Sequence, residues 1–157
     1  MKIRPACHDD IESIIALDTR HFGVSKPEYW HATLRRSEQD RGHCMLVADD
    51  GGAIAGFAVG EIRAWEFDSE PCGWVVVLTV PPHLREHRIG TRLFEALRSH
   101  FVARGVRKIR TMVARDYHLV LSFFRSQGMK AGPYIELEMD ADEDRADDAG
   151  PERDASE

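Results

Sequence analysis

The sequence lacks the features that mark several classes of protein. Its three cysteines, Cys7, Cys44 and Cys72, are odd in number and show no paired spacing, which argues against a disulfide framework and predicts reduced thiols. The longest apolar run, WVVVL, is too short to cross a bilayer. The first residues, MKIRPACHDD, lack the apolar segment of a secretory signal. These absences predict a cytoplasmic protein that does not enter a membrane.

Two kinds of ligand site are also missing. The sequence has no Cys-x-x-Cys pair of the kind that binds zinc, so we expect no metal site. It has neither a Walker lysine nor a complete G-x-G-x-x-G, which weakens the hypothesis of an unrelated nucleotide-binding domain.

Charge is distributed unevenly along the chain. The 157 residues carry a net charge of -6, but nine of the 27 acidic residues and two of the 21 basic residues fall within residues 140–157. Residues 1–139 therefore hold 18 acidic and 19 basic residues, which gives no reason to expect nucleic-acid binding. We expect residues 1–139 to form one folded domain. We expect residues 140–157 to form an acidic disordered tail that keeps the protein soluble or binds a partner.

The apolar patterns predict a mixed α/β domain with helices flanking a central sheet. Its expected order is β-α-α-β-β-β-α-β-α-β. In chain order the segments are MKIRPA, DIESIIALDTRHFG, SKPEYWHATLRR, the hairpin CMLVADDGGAIAGFAVGEIRAW, the buried strand GWVVVLTV, TRLFEALRSHFVARG, VRKIRTMVA, DYHLVLSFFRSQG and YIELEMD.

The stretch VVVLTVPPHLREHRIGTRLFEAL, residues 75–97, combines the features of a phosphate site. A buried strand leads through a basic loop into the first turn of a helix, whose backbone N–H groups lack intrahelical partners and carry positive potential. Gly90 allows a ligand to approach the backbone without a Cβ in the way. Arg88 stands where a second glycine could be expected. It keeps its N–H and adds a charged contact, provided that its position needs no positive φ.

This stretch resembles the signature of the GNAT superfamily of acyl-CoA-dependent N-acyltransferases, in which V-x-P is followed by Arg or Gln, x, x, Gly, x and Gly or Ala. The later segment FFRSQGM is similar to the family pattern aromatic-Tyr-x-x-x-Gly-Phe. The resemblance covers roughly residues 1–139. The signature residues are Val80, Pro82, Arg85, Arg88, Ile89 and Gly90.

The resemblance implies acetyl-CoA as cosubstrate, a primary amine as acceptor, and a possible homodimer. In the family, backbone N–H groups of the loop hold the pyrophosphate. Backbone groups of the preceding strand, here Leu78 and Val80, face the thioester carbonyl and the pantetheine arm. The loop residues implied in cofactor binding are Arg85, His87, Arg88, Ile89, Gly90 and Thr91.

The catalytic residues are harder to assign. Family members often carry a glutamate on the strands of the cleft, but WVVVLTV contains no acid. Glu61 on the preceding strand is the first candidate for a base, acting through water, and an outward-facing structural role is the alternative. Asp116 is a second candidate, and its alternative is a helix N-cap.

The position of the family's usual proton donor to the leaving thiolate also differs in this sequence. Its usual tyrosine aligns with Phe124, which has no proton to donate. Tyr117 shares the predicted helix face and occupies a place where the family often has an asparagine on the cofactor arm. We expect Tyr117 to line the cleft or contact the cofactor, and Phe123 and Phe124 to lie in the core. Phe124 and the acid-free strand leave an alternative function open, a non-catalytic acyl-CoA-binding or sensing module.

Overall fold

The structure, a computed structural model, describes residues 1–141 and is organised around one five-stranded sheet. The strands lie in the sheet in chain order. Neighbours are antiparallel except for the last pair, which is parallel, so the expected mixed α/β fold is confirmed. The strands are β1 (Lys2–Pro5), β2 (His43–Asp50), β3 (Ala53–Arg63), β4 (Cys72–Thr79) and β5 (Ile109–Arg110).

Within residues 1–141, four α-helices cover the sheet on both faces: α1 (Ile11–Phe22), α2 (Pro27–Gln39), α3 (Ile89–Val102) and α4 (His118–Ser126). Helices α1 and α2 pack on one face, where the ring centroids of Trp30 and Phe57 lie 5.2 Å apart. On the other face, α3 buries Leu97 and Phe101 completely, and α4 joins the same core through Phe124. Apolar burial on both sides of β3 and β4 therefore holds three layers together.

Glycines fix the ends of two elements as the sequence predicts. Helix α1 ends at Gly23, which has φ 78° and donates its N–H to Thr19 O at 2.7 Å. The hairpin between β2 and β3 turns through Gly51 and Gly52, with φ of 66° and 98°. A side chain would be strained in these left-handed conformations, so the turn positions follow from glycine's freedom.

Strand β5 is much shorter than the predicted segment VRKIRTMVA. Of this segment, only Ile109 and Arg110 pair with β4, opposite Gly73 and Trp74. Beyond this point the Thr111 hydroxyl, instead of a backbone N–H, donates to Val75 O at 2.9 Å. The two strands stop forming a ladder here, and the sequence of β5 alone does not reveal where its partner diverges.

The predicted last strand, YIELEMD, is wrong as a strand, because residues 134–140 adopt no secondary structure. Its apolar residues alternate, but Ile135, Leu137 and Met139 are each at least 77% exposed. Tyr134 holds the segment at one point, donating to Phe67 O at 3.2 Å. Alternation shows which side chains share a face, but a strand also needs a partner edge, and the two-residue β5 offers little of one.

The predicted acidic tail, residues 140–157, lies almost wholly outside the described residues, which end at position 141. Within residues 1–141, none of the helices has both the length and the apolar content needed to cross a membrane.

Asp10, at the start of α1, is held by an ion pair that makes stability depend on pH. Arg4 donates to both of its oxygens at 2.7 and 2.8 Å, and Cys7 N donates at 2.9 Å. The Arg4 hydrogen bonds lower the pKa of Asp10 to about 2, against the opposing effect of burial. A carboxylate with a depressed pKa stabilises the fold above its ordinary pKa, and this contribution is lost as the pH falls toward 2.

We expect Asp10→Asn to lower the free energy of unfolding at pH 7 by about 2 kcal/mol. The difference from the unmodified protein should narrow below about pH 4, where the unfolded carboxyl takes up a proton. Urea unfolding between pH 7 and pH 2.5 measures both the loss of stability at pH 7 and its decrease at low pH. Asp9→Asn, at the exposed neighbouring position, is the control. A pH dependence in Asp10→Asn equal to that of the unmodified chain would contradict the assignment.

Candidate functional site

A gap opens in the sheet where β4 and β5 diverge. Their pairing ends at Trp74 and Arg110. On the other side, β4 continues beside β3 but with one extra residue, because Val59 pairs with Val77 and Gly60 with Val75. This bulge at Val76 increases the local twist and turns the end of β4 away from β5.

A cavity of about 140 Å³ lies between the end of β4 and helix α4. Leu78, Val80, Arg85 and Tyr117, four of the residues predicted from the sequence, line it. The remaining lining residues are His21, Thr79, Leu119, Val120, Phe123 and Phe124. The walls are mainly apolar with a few polar groups, as is usual for a small-molecule site.

The basic loop and the N-terminus of α3 border this cavity. Residues Pro82–His87 form a 3-10 turn, and α3 begins directly afterwards at Ile89. The first turn of α3 contains no acidic residue and no side-chain cap. Arg85, His87 and Arg88 are exposed. Free backbone N–H groups, the helix dipole and these side chains together make the loop a site for an anion such as a phosphate.

Arg88 adopts a left-handed conformation, with φ 57° and ψ 23°. The condition under which Arg88 was expected to replace glycine without cost is therefore not met. The chain must pass from the 3-10 turn to α3 within one residue, and the left-handed conformation makes this change of direction. The cost for a residue other than glycine is about 1–2 kcal/mol.

Gly90 is needed for packing. A Cβ on Gly90 would lie 3.2 Å from Phe123 Cε2 and 3.6 Å from Leu78 Cδ2. Both neighbours line the cavity. The other loop residues have distinct surroundings: Ile89 is buried, and Thr91 Oγ1 accepts a hydrogen bond from Gln127 Nε2 of the chain after α4 at 3.3 Å.

Phe124 and Tyr117 take the places expected of them. Phe124 is only 7% exposed and contacts Phe94 with a centroid distance of 6.1 Å, so it belongs to the core while also lining the cavity. Tyr117 is the N-cap residue of α4 and is 38% exposed. Among the cavity residues, Tyr117 carries the phenolic hydroxyl that position 124 lacks.

The sequence predicted Asp116 as the N-cap of α4, but the N-cap is Tyr117. The helix begins one residue later, and the side chain of Asp116 is exposed. His118 N donates to the backbone oxygen of Asp116 at 3.0 Å, so the backbone turns here without the carboxylate. Asp116 is not among the residues that line the cavity.

Glu61 lies away from the cavity. Its carboxylate accepts a hydrogen bond from Arg63 Nε at 2.5 Å, and His43 Nε2 lies 3.5 Å from its other oxygen. It is paired with Trp74, whereas Leu78 is paired with Ala58, three residues earlier on β3. That separation is about 10 Å along the strand. Direct contact between Glu61 and a ligand at Leu78 is therefore not supported, and a role in catalysis needs bridging water.

His21 is a cavity residue that no sequence pattern indicated. It lies in the last turn of α1, far along the chain from the loop and from α4. Its only local signal was a histidine two residues before the helix-ending Gly23, and a histidine in the last turn of a helix is common for electrostatic reasons alone. The fold brings it to the cavity, where His21, Thr79, Arg85 and Tyr117 are the side chains with hydrogen-bonding groups.

A family model described as "Acetyltransferase (GNAT) family" matches residues 11–129. Among curated proteins, the chain is 22% identical over 153 residues to N-alpha-acetyltransferase 60 of Danio rerio, covering 86% of this chain and 62% of that protein. It is 37% identical over 79 residues to mycothiol acetyltransferase of Corynebacterium jeikeium, covering 50% of this chain and 20% of that one. The chain thus spans less than two thirds of these relatives.

Among solved structures, the aminoglycoside N-acetyltransferase AAC(6')-Iy in complex with CoA superposes with a TM-score of 0.80 at 17% identity. The superposition covers 89% of this chain and 94% of that one. At this identity the similarity establishes the fold.

Proposed function

The chain belongs to the GNAT acetyltransferase family, and from this premise we propose that it transfers the acetyl group of acetyl-CoA to a primary amine. The amine attacks the thioester directly. The observation that carries the proposal is the cavity at the divergence of β4 and β5, which borders the basic N-terminus of α3. An apolar channel beside an anion site fits a ligand with a long neutral arm and a pyrophosphate.

The proposed binding mode uses backbone groups more than side chains. The loop from Arg85 to Thr91 would offer N–H groups to the pyrophosphate, and Arg85 would add charge at the cavity wall. The pantetheine arm would follow Leu78 and Val80, where β4 lacks a β5 partner. An extended arm placed there can take the position of a missing strand, which explains why divergence of the strands favours this ligand.

The proposed reaction forms a C–N bond and breaks the C–S bond through a tetrahedral oxyanion. The N–H of Leu78 would stabilise the oxyanion charge. The departing sulfur carries the electron pair of the C–S bond. A thiol with a pKa near ~8.5 leaves tolerably as a thiolate, so Phe124 does not prevent turnover. Tyr117, which lines the same cavity, is proposed to donate the proton.

The amine must also lose a proton, since a free alkylamine has a pKa near ~10.4 and is cationic at neutral pH. Glu61 is one proposed acceptor, through water, because it is the carboxylate of β3 nearest the diverging strands. His21 is the other, and its position in the cavity lining favours it. An imidazole is suited to proton transfer near neutral pH.

A non-catalytic acyl-CoA sensor is the second candidate, and the phenylalanine at position 124 favours it. Two measurements separate the candidates. We expect acetyl-CoA to raise the unfolding temperature of the full chain, whereas ATP and NAD do not. We then expect release of free thiol from acetyl-CoA with at least one member of a broad amine panel. Stabilisation without thiol release across the panel would support the sensor, and an absence of stabilisation by acetyl-CoA would refute both.

We also propose a cytoplasmic homodimer. Cys7, Cys44 and Cys72 are all free thiols, and burial raises the pKa of Cys44 to about 11, as suits an unreactive thiol in a reducing compartment. The exposed apolar side chains of residues 134–139 supply a surface that a second copy could cover. Light scattering of the purified chain reports its mass.

A further inference from the structure

A lysine of the chain lies in a box of aromatic rings on the α1–α2 side of the sheet. Lys26 Nζ is 3.0 Å from Asp18 Oδ2 and 4.8 Å from the ring centroid of Phe22. It is 5.8 Å from the ring centroids of both Tyr29 and Trp30. We call Asp18, Phe22, Tyr29 and Trp30 the ammonium box. Ring faces attract cations and a carboxylate accepts charge-assisted hydrogen bonds, so the box suits an alkylammonium group.

The floor of the ammonium box has hydrogen-bonding capacity that the chain leaves unused. Asp18 is 0% exposed. Its Oδ2 forms an ion pair with Lys26 and accepts a hydrogen bond from Trp30 Nε1 at 2.9 Å. Its Oδ1 is also buried and has no hydrogen-bond partner within residues 1–141. A buried carboxylate oxygen without a donor is unfavourable, so a ligand that supplies another N–H would be stabilised here.

The open side of the box allows Lys26 to be exchanged. Phe22 and Tyr29 are 58% and 47% exposed, and the side chain of Lys26 is 37% exposed. Lys26 is the N-cap residue of α2 and makes no side-chain cap hydrogen bond. Its ammonium group can therefore move into water while Trp30, packed on Phe57, keeps the floor in place.

The ammonium box lies next to the cavity described above. Phe22 follows His21 in α1, and the two rings meet edge to face with centroids 4.6 Å apart. His21 lines the cavity together with Thr79, and Thr79 pairs with Phe57, the residue beneath Trp30. A ligand with one amine at the cavity could thus place a second amine in the box.

We propose that the ammonium box binds a second, cationic amine of the acceptor, and that Lys26 occupies this place until the acceptor displaces it. The acceptor class is then a diamine, with one neutral amine at the thioester and one ammonium group on Asp18. This assignment of acceptor rests on the acetyl transfer proposed above. Lys26 is tethered beside the box and competes at high effective concentration, so monoamines bind weakly.

The first test measures binding without turnover. Lys26→Ala removes the cation beside the buried Asp18 carboxylate and should unfold at a lower temperature than the unmodified chain. Butylammonium chloride should restore the unfolding temperature in a saturable way, whereas 1-butanol and sodium chloride at equal concentration should not. Lys130→Ala, at an exposed position, is the control and should show no such recovery. An identical response of Lys26→Ala, Lys130→Ala and the unmodified chain to butylammonium would overturn the proposal.

The unmodified chain provides a test that does not depend on how Lys26→Ala folds. N,N-dimethylbutylammonium should free Lys26 from the box and increase its labelling by an amine-reactive reagent, read by mass spectrometry relative to Lys130. Unchanged labelling of Lys26 at saturating amine would show that it is a fixed part of the fold.

The third test measures whether the ammonium box affects turnover of a diamine. Asp18→Asn should raise KM for 1,4-diaminobutane about tenfold more than KM for butylamine, since only the diamine has a group for the box. Equal effects on both amines would refute a role in acceptor selection. The two proposals fail separately. Butylammonium recovery without thiol release from any amine would refute acetyl transfer, and thiol release without recovery would refute the box.

Discussion

Gly90→Val is expected to weaken coenzyme A binding by about tenfold to a hundredfold, which corresponds to an overpacking cost of about 1–3 kcal/mol. A Cβ at this position already lies 3.2 and 3.4 Å from two atoms of the Phe123 ring, and 3.6 Å from Leu78. The two methyl groups of valine would extend further, forcing Phe123 and Leu78 apart or into the cavity that both of them line. Calorimetric titration with coenzyme A measures the loss.

Two variants make this prediction specific. Gly90→Ala adds only the Cβ, and the half-buried ring of Phe123 can yield by a few tenths of an ångström, so we expect a smaller loss of affinity. Gly132→Val is the matched control, because no atom of residues 1–141 lies within 4 Å of a Cβ at that position. Unfolding temperatures distinguish lost binding from lost folding. A folded Gly90→Val protein with unchanged affinity would exclude the cavity as the cofactor site.

A variant at Arg88 separates the contribution of the loop's backbone N–H groups from that of its side-chain charge. Arg88→Gly removes the strain of a left-handed arginine and also removes one exposed cation. We therefore expect this variant to keep most of its affinity, because the backbone N–H that faces an anion is retained.

Local features of the site could be predicted from the sequence because they depend on neighbouring residues. The buried strand, the basic loop and the helix start are contiguous, so Leu78, Val80 and Arg85 reach one cavity as expected. The strained φ of Arg88 was not predictable, since it depends on the angle at which β4 and α3 meet. The packing role of Gly90 was hidden for a similar reason, because Phe123 belongs to a later helix.

The candidate proton acceptors, Glu61 and His21, show more clearly what could not be predicted from the sequence. Sequence patterns placed Glu61 on a strand beside β4, but they did not reveal that its carboxylate pairs with Arg63 and His43 at the other end of that strand. They also gave no reason to select His21, which reaches the cavity only because α1 packs across the sheet. The register of β3 against β4 and the placement of α1 are tertiary properties, determined by the core around Phe57 and Trp30.

The identity of the base can be decided by one pair of variants. His21→Asn is expected to lower kcat by about a hundredfold to ten-thousandfold, the usual contribution of a general base, with little change in coenzyme A affinity. Asparagine keeps hydrogen-bonding groups near the cavity but cannot accept the proton of the amine. Glu61→Gln is expected to cost less, because Glu61 lies outside the cavity lining and is already held by Arg63.

Release of free thiol from acetyl-CoA, followed at saturating amine, measures both rates, and calorimetry confirms that the cofactor still binds. The reverse order of effects, with a large loss in Glu61→Gln and none in His21→Asn, would assign the base to Glu61 and require water between β3 and the thioester. Small losses in both variants would mean that the acceptor arrives as a neutral amine. The apolar cavity would then select the neutral amine by excluding the ammonium form, because a desolvated cation is strongly disfavoured there.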